Sequence, residues 1–123
     1  MSQNVFFTIV AIIFVVFGVG QILAPQELMG MYGLNFNPAG VLMTRVFGTV
    51  VIGLAIIYWA CRNAAASPLL QAVLYAGVLS NAADVVVAWY GISTGVLNSL
   101  GWALVILHVL LTIGFAYFAF GKR

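Results

Sequence analysis

Four apolar stretches, at 5–23, 41–60, 69–90 and 100–120, make up most of this sequence. Each runs for about 19 to 22 residues, the length a helix needs to cross about 30 Å of hydrocarbon. Water is the wrong solvent for such a chain. Of its 123 residues 65% are apolar and 5% charged, so four basic and two acidic side chains would have to clothe the whole surface. That excludes a soluble globular fold. The reading is all-α: a single transmembrane domain over 1–123, with four spanning helices running up, down, up and down as a bundle.

The breaks between stretches carry turn chemistry. Ala24-Pro25 follows the first, Arg62-Asn63 through Ser67-Pro68 the second, and Gly91-Ile92-Ser93-Thr94-Gly95 the third. Within the longest link, Pro25 through Gly33 offers a proline at a helix start, an acid (Glu27) in the first turn and a glycine stop. This predicts a short interfacial helix, with Leu28, Met29, Met31 and Tyr32 at the headgroup boundary. Tyr32, Trp59, Trp89, Tyr90 and Trp102 form an expected aromatic belt near the span ends. The first stretch lacks a basic leader and is too long for a usual signal core, so it reads as a retained helix.

With four spans, Arg62, Lys122 and Arg123 share one face, and the other holds Glu27 with no basic residue outside the spans. The positive-inside rule then places both termini in the cytoplasm. The net charge of +2 arises from too few and too scattered groups for a nucleic-acid surface. Cys61 is the sole cysteine, which excludes an internal disulfide or a thiolate metal cage. A short echo, Tyr32-Gly33-Leu34 before Gly40-Val41-Leu42 and Tyr90-Gly91-Ile92 before Gly95-Val96-Leu97, raises the alternative of two duplicated helical hairpins.

Charges inside the spans are the expensive residues, each costing about 2.5–3.5 kcal/mol at a helix centre. Arg45 lies about 6 Å into the second stretch and Asp84 about 9 Å into the third, both from the outer end, at 1.5 Å per residue. Matched depth predicts an Arg45–Asp84 ion pair, serving either packing and register or a substrate or ion site. The alternative has Arg45 reaching the headgroups or Glu27. Ala72, Ala76, Ser80 and Asp84 repeat every four residues, with Gly77 and Asn81 on the next row, which predicts a close-contact helix face directed to the bundle centre. Arg45, Gly48 and Thr49 supply a similar face on the second span. His108, the only histidine, falls near the bilayer centre, where a neutral imidazole can hydrogen-bond across helices, relay protons, contact a ligand or ligate a pigment.

No nucleophile–base–acid set, metal-ligand spacing, phosphate loop or dinucleotide fingerprint occurs, and Gly18-Val19-Gly20 lies inside an apolar span. No catalytic residue, metal or cofactor is therefore predicted. Pro25, Tyr32-Gly33-Leu34, Pro38-Ala39-Gly40, Arg45-x-x-Gly48, Gly53-Leu54 and Gly114-Phe115-Ala116-Tyr117-Phe118 together give the chain, over nearly its whole length, a pattern that resembles small bacterial four-helix membrane proteins related to the DoxX-like group. The resemblance implies a four-helix bundle in the bacterial plasma membrane, with Arg45 and Gly48 as its matching positions. It also allows an association with membrane oxidoreductases and quinone chemistry.

Three functions follow as expectations. The first is a non-catalytic scaffold or accessory subunit of a membrane assembly or homo-oligomer, whose partners are lipids and another membrane protein. The second is a binding or transport module in which Arg45, Asn81, Asp84 and His108 take a quinone, lipid or other small amphiphile. The third is an oxidoreductase subunit using a partner's cofactor.

Overall fold

The structure is a computed structural model and describes residues 1–121; Lys122 and Arg123, used above for orientation, lie outside the described residues. It is all-α, with five helices and no strand among the described residues: α1 (Gln3–Leu23), α2 (Pro25–Gly30), α3 (Pro38–Cys61), α4 (Pro68–Ser93) and α5 (Gly101–Phe120). All but α2 are long and apolar enough to cross a membrane, so the protein is integral to one. The helices fall into two compact units, a first hairpin over Met1–Asn63 and a second starting at Ala64.

α1, α3 and α4 start ahead of their apolar stretches because capping residues, not hydrophobicity, set those ends. Ser2, Asn37 and Ser67 each accept a backbone N–H from the first turn of α1, α3 and α4. Pro25, Pro38 and Pro68 stand at helix starts, where a missing N–H costs no hydrogen bond. Beyond α2, Gly33 takes φ +85°, while its N–H reaches Gly30 O at 3.0 Å and the Leu34 N–H reaches Met29 O at 3.2 Å. This paired closure needs a left-handed residue that glycine supplies without strain. The duplication echo does not survive in local geometry. Gly91, the counterpart of Gly33, lies inside α4, and the left-handed glycine of the second hairpin is Gly95.

In the first hairpin α1 and α3 run antiparallel. At one end the Gln3 amide donates to Cys61 O at 3.0 Å, and the Arg62 guanidinium stacks 3.8 Å above the Trp59 ring. Buried Phe6, Phe7, Val10, Val51, Ala55 and Tyr58 form the core, with Phe14 edge-on to Tyr58 at 5.1 Å. Toward the other end the two backbones meet at Gly18 and Gly48. A Cβ on Gly48 would lie 2.9 Å from both Gly18 O and Gln21 Cβ. Lipid gives helices no hydrophobic reason to associate, so this close approach, with its dispersion contacts, is what joins them. Tyr32 departs from the expected belt. It is buried, and burial raises its phenol above the usual range, whereas Trp59, Trp89, Tyr90 and Trp102 are exposed.

In the second hairpin α4 and α5 are also antiparallel. The Gln71 amide donates to Ala119 O at 2.9 Å at one end, and Gly101 packs on Ile92 at the other. Between them the Phe115 ring, wholly buried, lies against Gly77. Leu70, Leu74, Gly77, Asn81 and Ala88 are the buried residues of α4.

Candidate polar site in the second hairpin

Asn81 is the most buried polar residue among the described residues, 1% exposed on the same face of α4 as Gly77 and Leu74. Its Nδ2 donates to Gly77 O one turn back at 2.8 Å, which leaves Oδ1 facing α5. There it meets His108 Nδ1 at 2.9 Å. An amide oxygen only accepts, so Nδ1 must carry the ring proton, and neutral His108 is held as the tautomer with a bare Nε2. The Asp84 carboxylate, one turn along α4 from Asn81, approaches the same Nδ1 at 3.7 Å. Thr112 Oγ1 donates to the His108 backbone carbonyl at 2.7 Å and keeps its own hydroxyl from needing another partner.

The three side chains differ in exposure. Asn81 is enclosed, the His108 side chain is 21% exposed and that of Asp84 54%. Nine residues separate Asp84 from the end of α4 at Ser93, about 14 Å at 1.5 Å per residue, so the carboxylate sits well inside the span. An uncompensated charge there costs about 2.5–3.5 kcal/mol. A hydrogen bond between membrane helices returns about 0.6–2 kcal/mol, and at 3.7 Å the contact with His108 is longer than one. His108 therefore offsets only part of the cost of Asp84.

The sequence-predicted residues thus divide. The structure brings Asn81, Asp84 and His108 together within one hairpin and seats Gly48 and Gly77 against their facing helices. The stripe of Ala72, Ala76 and Ser80 is placed otherwise. All three are exposed, and of the expected face it is the adjoining row, Gly77 and Asn81, that meets α5. Spacing by four marks a helix row without telling which side it faces. Arg45 belongs to the first hairpin and is exposed. The acid of that hairpin, Glu27, does not come within 4.0 Å of it, so the Glu27 alternative is not realised. The Asp84 carboxylate has an ion-pair contact within its own hairpin, to His108 on α5.

Gln21 was not anticipated. It is 7% exposed near the end of α1, and its Oε1 is buried with no hydrogen-bond partner among the described residues. The signal was available in the sequence: an amide inside an apolar stretch, three residues after the small Gly18 and so on the same face.

No protein-family model, curated protein or solved structure matches the chain.

Proposed function

We propose that this is a non-catalytic integral membrane protein that works through helix contacts inside the bilayer, as a scaffold or accessory subunit of a membrane assembly or homo-oligomer. One observation carries the reading: Ala72, Ala76 and Ser80, three small residues of α4, are exposed and lead to half-exposed Asp84. Small residues spaced by four let a second helix come near, and a polar group at the end of the row fixes its register. A location in the bacterial plasma membrane with both termini cytoplasmic, and kinship with the DoxX-like group, are parts of the same proposal. They rest on the charge asymmetry and on the glycine and aromatic motifs.

The test is extraction in mild detergent followed by native mass measurement of wild type and Ala76→Leu. An assembly larger than one chain, reduced to the monomer by Ala76→Leu with the helical content unchanged, is the expected result. A wild-type monomer without companions overturns the proposal.

A second reading, a binding module for a small amphiphile, is favoured by the half-exposed Asp84 carboxylate beside the bare Nε2 of His108. The carboxylate is 54% exposed and the His108 side chain 21%, both within apolar helices.

A further inference from the structure

We propose that the Asp84–His108 edge of the second hairpin binds a lipophilic primary ammonium, an alkyl chain ending in a protonated amine. The inference rests on the second reading above and names its ligand class. Asn81 decides it. With Nδ2 spent on Gly77 O and Oδ1 on His108 Nδ1, the amide fixes the imidazole proton on the inner nitrogen. What remains is a set of acceptors without a donor: the Nε2 lone pair of the partly exposed His108 side chain, which has no partner among the described residues, and the half-exposed Asp84 carboxylate, 3.7 Å from Nδ1 of the same ring.

Such a site discriminates by chemistry. A ketone, an ester carbonyl or a carboxylate brings only further acceptors and meets repulsion. An alcohol brings one donor and no charge. A primary ammonium brings three donors and the positive charge that a carboxylate inside the bilayer lacks, so one group can serve Asp84 and Nε2 together. The rest of the ligand must be apolar. Asp84 lies within the span, and Val87, one turn further on the same face of α4, is 66% exposed and offers a surface for an alkyl chain.

The experiment uses the full chain in phosphatidylcholine nanodiscs, whose quaternary headgroups carry no N–H to compete. Because the sequence has one histidine, nitrogen-15 labelling of histidine reports His108 alone. The ligand-free spectrum is expected to show a protonated Nδ1 and a bare Nε2. Decylammonium is expected to shift Nε2 saturably, with decanol weaker and decanoate without effect, and Asp84→Asn is expected to raise the half-saturating concentration tenfold or more. Should that variant misfold, the wild-type contrast between decylammonium and decanoate decides by itself. A proton on Nε2 in the free protein, or equal responses to decylammonium and decanoate, overturns the proposal. A saturable response to decanol or decanoate without one to decylammonium overturns the ligand class and leaves amphiphile binding standing. Silence to all three overturns both.

Discussion

The two hairpins solve one problem by different chemistry. Each must hold an antiparallel helix pair together where lipid competes on equal terms for every apolar contact. The first hairpin does so with backbone proximity, Gly18 against Gly48, and leaves the buried Gln21 oxygen without a hydrogen bond among the described residues. The second joins its helices with side chains, the Phe115 ring on Gly77 and the Asn81 amide on His108. Contact through backbones tolerates no added atom, whereas contact through side chains can adjust but fails when a polar partner is lost. The first hairpin is therefore expected to be sensitive to volume and the second to polarity.

The largest effect is expected where the backbones meet. Gly48→Ile puts a branched side chain against Gly18 O and the base of Gln21, and overpacking of this kind costs about 1–3 kcal/mol, here at the upper end because a helix backbone must move. Reversible unfolding in mixed micelles measures it, and a loss under 1 kcal/mol would mean that the helices are held apart from the contact without penalty. Next comes Asn81→Leu, which keeps the number and branching of side-chain heavy atoms and removes the acceptor of the His108 Nδ1 proton. A partly buried donor left unserved costs about 1–3 kcal/mol. In the same assay, Gly48→Ala set beside Asn81→Leu sharpens the contrast between the hairpins, and Asn81→Leu as stable as wild type would erase it. The smallest effect has the opposite sign. Gln21→Leu deletes a buried acceptor that has no donor, and it is expected to raise stability by up to about 1 kcal/mol. A destabilised Gln21→Leu would show that the amide has a partner when the protein sits in lipid.

The spans were legible because bilayer thickness imposes a length on the sequence, but two helix starts were not, since Ser2 and Asn37 cap α1 and α3 ahead of the apolar stretches. The polar cluster was legible in membership, since Asn81, Asp84 and His108 are each costly in hydrocarbon. Its connections were not. Asp84 has a carboxylate's reach in several directions, and depth alone suited Arg45 as well as His108. The inward side of α4 was hidden for a related reason. In water a polar face identifies the outside of a helix, but between lipid and protein both faces are apolar, so Leu74 and Ala76 differ in size and not in solubility.

The third proline has one more effect. A chain of this kind invites misfolding by straightening a short link into one long rod, since every residue of the rod would still be greasy. Pro68 opposes that outcome: read through from α3, it would stand mid-helix without an N–H and with its ring against a carbonyl, at about 3 kcal/mol. The ring at 68 thereby keeps α3 and α4 two helices rather than one, each free to take its own antiparallel partner.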